Sequence, residues 1–466
     1  MSLSLLESAA PELVAFVVSG LVVLYAWPGA RAFRAWVDRN LARRLGGLSA
    51  LRWDWRVVAL VLGIVFVAAA FVQSAPIPCS AGEDDTLALL QSGRNFLSGG
   101  NPFVTSQCGH WVLVPYGMAS VLLDALGSLG GRVGIWLVWN LAALLLIPLT
   151  WALAGAQRWY VTIFVATSML YAPLVVGSIQ GGHSAVVPVA ALLGIWLALR
   201  RNPSAGVWAG FLSTVKFPSL FPFWGGLSGA AAERWRAVVL SGVVFAGLTL
   251  VVVEVWGGAA FNLLFTTQLT RADFSINEFG VLIPLRAMPP SIVLTAIQGV
   301  SLLAALVFVH GRRWPAVPAV ALLTVVVALV AQRFTENFMV WLLPVALMGP
   351  TYGRWLFALG VVGVADATVA LPACMNQGAC VPSEALGGLF GVLLFLLLVV
   401  VLREGSRLAR EGSRAVSGPA PTASPSEPGA AKETSSIFHS APRFEGREAP
   451  TRPAWSVEMR TPPPAG

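Results

Sequence analysis

Uncharged stretches such as "VVALVLGIVFVAAAFVQSA" (57–75) and "ALGGLFGVLLFLLLVVVL" (385–402) recur along the whole chain. A helix needs about 20 apolar residues to cross the hydrocarbon of a bilayer, and several runs here approach or exceed that length. A chain that is 56% hydrophobic and 11% charged cannot hide so many runs in one aqueous core, so the sequence predicts an all-α, multi-pass membrane protein.

The net charge of +8 calls for no nucleic acid, because arginines gathered between spans follow the positive-inside rule. The first run, Leu13 to Trp27, has no Lys or Arg before it, and Arg31, Arg34, Arg39, Arg43 and Arg44 follow it. That order is the reverse of a signal peptide, so the run reads as a retained span with its N-terminus outside.

Counting inward from both ends gives about eleven spans. They lie near 13–29, 57–75, 133–155, 159–176, 184–199, 237–256, 291–309, 315–331, 338–350, 355–371 and 385–402. Arg200-Arg201, "ERWR" (233–236), "HGRRW" (310–314) and the C-terminal tail then face the cytoplasm. Both basic segments around 205–227 belong inside, so that stretch is expected to break near Pro218 into a re-entrant pair of half-helices. Residues 116–131 read as a helix lying along the outer interface, and "QGGHS" (180–184) as an outer loop. The organisation is thus an N-terminal span with a basic cytoplasmic segment (1–56), a membrane domain (57–402) and a disordered tail (403–466), the last rich in Pro, Ser, Ala and Gly.

Cys79, Cys108, Cys374 and Cys380 match no metal or redox spacing, and no metal or other cofactor is called for. All four fall in outer loops under this topology, which makes Cys79–Cys108 and Cys374–Cys380 candidate disulfides. The eighteen tryptophans suit an interfacial belt.

The sharpest chemical feature is "GEDDTLALLQSGRNFLSGGNPF" (82–103), three acids in a row at the start of an outer loop. A carboxylate at the mouth of a helical bundle is partly desolvated and so suited to general-base work; a helix cap is its plain alternative. Leu87, Leu90, Phe96 and Leu97 suit an amphipathic helix on the membrane surface. Arg271, Arg286 and Arg333 face the same side and have the planar fork that binds phosphate, against the alternative of interfacial or salt-bridged arginines. Lys216 in the re-entrant stretch, and Gln180 with His183, are further candidates for binding phosphate or sugar; snorkelling and turn hydrogen bonds are the alternatives.

"DDTLALLQSGRNFLSGGNPF" resembles the signature of glycosyltransferase family 87, an Asp followed by an interfacial helix and a Gly-Asn/Asp-Pro-aromatic turn. Residues 177–223 resemble the same family in a Gln-containing loop, a span, a basic turn and a Lys-x-Pro. The likeness covers about 57–350; it departs at Leu89 and Leu90, where the family has aromatics, and at "VPYG" (114–117), where it has Tyr-Pro-Pro. The resemblance implies a GT-C-like enzyme with a large first outer loop. Such an enzyme moves a sugar, usually mannose, from a polyprenyl-phosphate donor to a glycan or glycolipid acceptor outside the cytoplasmic membrane. The family aspartate falls on Asp85, counted back from Asn101-Pro102-Phe103, with Asp84 its nearest rival. One carboxylate suffices for a single, inverting displacement. A secondary transporter or lipid flippase is the alternative function, and a non-catalytic membrane scaffold the third.

Overall fold

The protein is described by a computed structural model that covers residues 3–50, 85–107, 110–113, 117–140, 180–200, 204–216, 219–228, 233–257, 292–330, 336–370 and 381–417, with a few isolated positions between them. Almost every described residue is helical. The helices are α1 (Leu3–Ala26), α2 (Arg31–Ala50), α3 (Asp85–Leu97), α4 (Met118–Ser128), α5 (Gln180–Arg200), α6 (Ala205–Ser213), α7 (Leu220–Gly226), α8 (Glu233–Trp256), α9 (Ile292–Gly311), α10 (Ala316–Val330), α11 (Pro350–Ala365) and α12 (Val381–Ser417). A helical segment at 131–140, a 3-10 helix (Glu336–Met348) and a π-helical turn (Asp366–Ala370) complete them. One antiparallel hairpin, β1 (Val104–Gln107) and β2 (His110–Leu113), pairs Val104 with Leu113 and Gln107 with His110.

Two of these helices contain stretches long and apolar enough to cross a membrane, Trp235–Trp256 and Glu384–Gly412. The α1–α2 pair makes a third if counted as one span bent by 108°. The fold is therefore that of an all-α membrane protein, with two or three of the eleven expected spans present by this measure among the described residues. The spans expected at 57–75, 133–155 and 159–176 lie largely outside them. Lipid-facing sides are plain where apolar side chains stay exposed at helical spacing. Leu13, Val17, Leu21 and Leu24 line α1, Val239, Val243 and Leu250 line α8, and Val300, Leu303 and Val307 line α9.

At the centre stands α10, buried continuously from Pro318 to Ala328 and packed against α5, α7, α9 and the 3-10 helix. An all-round apolar helix is what a bundle centre requires. The 3-10 form matters for reach. At about 2.0 Å per residue its thirteen residues extend about 26 Å, whereas an α-helix of that length falls well short of the bilayer.

The expected break near Pro218 is present as a helical hairpin, although Pro218 itself is outside the described residues. Helix α6 runs alongside α8, with Gly206 against Ala237 and Gly210 against Ser241. A Cβ at either glycine would collide with the α8 backbone. This is small-xxx-small packing, which lets two helices approach closely where lipid supplies no hydrophobic drive between them. The chain turns at 214–219 and α7 comes back. Trp224 Nε1 donates to Ser241 Oγ at 2.9 Å, Gly226 packs on Gly194, and Ser228 Oγ donates to Trp314 O at 2.5 Å. The two ends of the hairpin thus lie at the same end of α5 and α8, the end that also holds Arg200, Glu233–Arg236 and His310–Trp314.

Two expectations change. Helix α12 does not stop at Leu402 but continues to Ser417, so the ordered chain outlasts the boundary placed at 403. Arg407 clamps Glu404 and Glu411, both at 2.6 Å, across one turn in each direction, and such pairs extend a helix into water. Residues 418–466 lie outside the described ones. "QGGHS" is not a loop: Gln180 through Ser184 form the first turn and a half of α5.

Close approach at Gly210 gives a test. Gly210→Val should lower the melting temperature of the detergent-solubilised protein by several degrees, in line with an overpacking cost of about 1–3 kcal/mol. Gly242→Ala, with nothing within 4 Å of its added methyl, should leave it unchanged. Differential scanning fluorimetry reads both.

Candidate functional site

Helices α3 and α4 and the β-hairpin form a small layer at the opposite end of the bundle from Arg200 and Trp314. "GGNPF" is its anchor. Asn101 Oδ1 accepts from the Phe103 amide at 2.9 Å, closing an Asx turn before and around Pro102. Asn95 Nδ2 spans the turn, donating to Asn101 O and Val104 O, each at 3.2 Å. The turn delivers Phe103, 2% exposed, edge-on to Trp256 at 5.5 Å, and Trp256 Nε1 donates to Gly100 O at 3.3 Å. The end of α8 is thereby fixed to the layer. Gln91 Oε1 accepts from the Ser106 amide at 2.9 Å and seats the hairpin on α3.

Inside the layer, Gly93 lets the α3 backbone touch the backbone of Asp124 and Ala125. Asp124 is wholly buried; its Oδ1 accepts from Trp139 Nε1 at 2.8 Å and its Oδ2 from Ser92 Oγ at 3.0 Å. One carboxyl group therefore ties α3, α4 and the 131–140 helix together. Burial pushes it up to about 8, against the two hydrogen bonds, which favour the charged form. Sequence reading passed over Asp124. The signal was present: an acid in the middle of an otherwise apolar eleven-residue helix.

Asp85 is the first residue of α3, as expected of a residue that opens the helix after the acidic triplet. One face of the helix is packed into the protein. Ala88, Leu89 and Leu90 are buried in the main core and Gly93 in the contact with α4, while Leu97 is exposed. Leu89 and Leu90 are core residues.

Lys216, half-buried, sits in the turn of the α6–α7 hairpin. Around it Ser213 Oγ meets Ser219 Oγ at 2.9 Å, and Ser219 Oγ donates to Lys216 O at 2.7 Å. Thr214 docks the turn on the start of α4. Its carbonyl accepts from the Gly117 amide at 2.8 Å and its Oγ1 from the Ala119 amide at 2.9 Å.

The structure does not bring Lys216 and Asp85 together. Helices α3 and α4 run antiparallel, with Phe96 clustered with Met118 and Val121, and Ser92 on Asp124. Asp85 therefore lies toward the C-terminal end of α4 and Thr214 at its N-terminal end, about 18 Å apart along the helices. Gln180 and His183 occupy the first turn of α5. Asp84, Arg271, Arg286, Arg333, Cys79, Cys108, Cys374 and Cys380 lie outside the described residues. Among the described residues no group of three or more His, Cys, Asp or Glu side chains is placed to hold a metal.

A second acid was also passed over. Asp366 is fully buried and opens the π-helical turn that ends α11. An acid eleven residues into the apolar run 355–371 was its signal in the sequence, and π-turns gather at functional positions.

Comparison with family models, with curated proteins and with solved structures finds no match to this chain.

The elevated Asp124 carboxyl sets a pH dependence. Its folded value lies above the unfolded one of about 3.9, so the native protein keeps a proton that the unfolded chain releases. The stability this supplies is complete below about pH 4 and drains away as pH rises to about 8. Asp124→Asn has no proton to lose. Its melting temperature relative to wild type should rise steadily from pH 6 to pH 8 and then level off. Asp124→Ala should melt well below both at every pH, because it leaves Trp139 and Ser92 unpaired. A flat wild-type-minus-Asn difference across that range refutes the assignment.

Proposed function

We propose that the chain is a membrane glycosyltransferase. It transfers a sugar, with mannose favoured by the family resemblance, from a polyprenyl-phosphate donor to a glycan or glycolipid acceptor on the outer side of the cytoplasmic membrane. The observation that carries this reading is the position of Asp85, the opening residue of a helix held rigidly in a layer over one end of an apolar bundle. Catalytic carboxylates are effective when the elements that bear them are fixed, and Ser92, Gly93, Asn95 and Phe103 fix α3 at four points. The α6–α7 hairpin belongs to the same reading as a re-entrant pair. Its nine-residue first arm is about 14 Å long, roughly half a bilayer, and returns to the end it left.

The chemistry is a single displacement. Asp85 takes the proton of the acceptor hydroxyl, whose oxygen forms the new bond to the anomeric carbon from the face opposite the leaving phosphate. The carbon–oxygen bond to the lipid phosphate breaks, and the configuration inverts. Lys216 follows Thr214, whose backbone stands about 18 Å from that of Asp85 along the helices, so we place it away from the reacting hydroxyl. The clamp falls to the arginines of the outer loops, Arg271, Arg286 and Arg333, with Asp84 as the neighbouring acid.

The alternative, a secondary transporter or flippase, has its own support in a broken helix pair with Lys216 near mid-depth, a placement common to transport sites. The readings part on two variants. In membranes supplied with a panel of labelled polyprenyl-phosphate sugars, Asp85→Asn should lower transfer by about 10²- to 10⁴-fold, while Lys216→Met changes it less than about threefold. Unchanged transfer in Asp85→Asn removes that residue from the mechanism. Labelled lipid that crosses proteoliposomes with no new glycosidic bond, and stops crossing in Lys216→Met, establishes the transporter instead.

A further inference from the structure

Far from Asp85, the corner between α1 and α2 has an unusual charge arrangement. The chain turns there by 108°. Tyr25 Oη donates to Asp38 Oδ1 at 2.8 Å, and Arg34 Nη2 donates to Trp27 O at 2.9 Å and Pro28 O at 3.1 Å, covering carbonyls at the end of α1. Trp27 meets Trp355 edge-on at 6.4 Å, which brings the first turns of α11 against the corner.

Arg354 arrives with that helix. It stands close enough to Arg34 for the two charges to repel, and Arg31 adds to the repulsion. Burial and then Arg354 hold the Arg34 guanidinium below its ordinary value, while Tyr25 and Asp38 act the other way. The Nε atoms of Arg34 and Arg354 are both buried and make no hydrogen bond. Among the described residues Arg354 Nη2 reaches only Thr351 Oγ1, at 3.2 Å. Among the described residues no carboxylate forms an ion pair with Arg31, Arg34 or Arg354, and the nearest acid, Asp38, already accepts from Tyr25. Helix α11 adds the positive end of its dipole, opening at Gly349-Pro350 with no side-chain cap.

Arg31 is exposed and Arg34 and Arg354 are half-buried, so three like charges stand beside a helix N-terminus, an arrangement that an anion would relieve. The flanks suit a membrane surface. Trp27 and Trp36 are about half exposed, Trp36 stacks on Phe33 at 6.2 Å, and Arg39 lies further along α2.

We propose that Arg31, Arg34 and Arg354 form a binding site for a phosphate group, supplied by the headgroup of an anionic phospholipid in the leaflet where α2 lies. The guanidinium forks would take the phosphate oxygens, and Trp27 and Trp36 would rest among the glycerol and upper acyl chains. The site is independent of sugar transfer and serves to fix the bent N-terminal pair to the bundle.

The test uses the full chain purified in zwitterionic detergent, then supplied with phosphatidylglycerol, phosphatidylcholine or inorganic phosphate. Native mass spectrometry should find phosphatidylglycerol retained by the wild type, and its melting temperature should rise with that lipid but not with phosphatidylcholine. Arg31→Gln/Arg354→Gln should lose at least about tenfold in retention, together with the stabilisation. Stabilisation by inorganic phosphate equal to that by the lipid would also support the site, with a soluble phosphate as occupant. Equal retention and stabilisation in variant and wild type would overturn it. A separate measurement guards against misfolding: without any anion, Arg354→Gln should melt no lower than the wild type, because it removes a repulsion. A lower value would mean that Arg354 holds the corner unaided, and would also overturn the proposal.

Discussion

A backbone that leaves its helix inside a bundle must find partners for the amides it strands, and Thr214 is where this chain meets that demand. Its carbonyl and hydroxyl together take the Gly117 and Ala119 amides, which are themselves orphans at the start of α4. Ser213 and Ser219 close the rest of the turn on each other and on neighbouring carbonyls. Two sets of unsatisfied groups thus cancel in one contact. In an apolar setting each such group left alone costs several kcal/mol, so the α6–α7 hairpin and the α3–α4 layer cannot be stable apart.

The rest of the architecture follows from how closely backbones are allowed to approach. Gly206 and Gly210 set α6 on α8, Gly194 and Gly226 set α5 on α7, and Gly93 sets α3 on α4. Each contact gains dispersion and desolvates little, the balance available where lipid competes with every apolar side chain. Where a polar group was kept in these seams, it is paired across elements, as with Asp124 and with Trp224 on Ser241.

Much of this was legible in the sequence, for definite reasons. Apolar runs and flanking arginines marked the helices, and the structure gathers Arg200, Glu233–Arg236 and His310–Trp314 at one end. Pro218, with basic residues on both sides of 205–227, marked the hairpin. What escaped depended on partners distant in the chain. "AGVWAG" holds the Gly206–Gly210 pair, but glycine is so common here that spacing alone cannot single it out from "GSLGG" (127–131), where Gly127 and Gly130 pack on Gly134 as the chain turns into the next helix. The length of α12 rests on Arg407 reaching in both directions, in a segment whose composition reads as tail. The β-hairpin is four residues a side and takes its place from Gln91, fifteen residues before the amide it accepts. Asp124 and Asp366 are marked in the sequence only as acids within apolar runs, and their partners and burial come from distant elements.

The site was legible only in part, and the missing part is geometric. The sequence offered an acid and three arginines on one side of the membrane, with Lys216 in the re-entrant stretch as a further candidate. Antiparallel packing of α3 on α4 separates it from Asp85 by the length of a short helix. That separation sets the two residues at opposite ends of the α3–α4 pair. If Asp85 is the base, the leaving group must be held by residues that follow α8 and α10 in the chain, such as Arg271, Arg286 and Arg333, which lie outside the described ones. If Lys216 is the functional cation, the substrate must enter to mid-depth and Asp85 reverts to capping its helix. The fold thus forces a choice that composition left open, and the anchoring of α3 at four points favours the first.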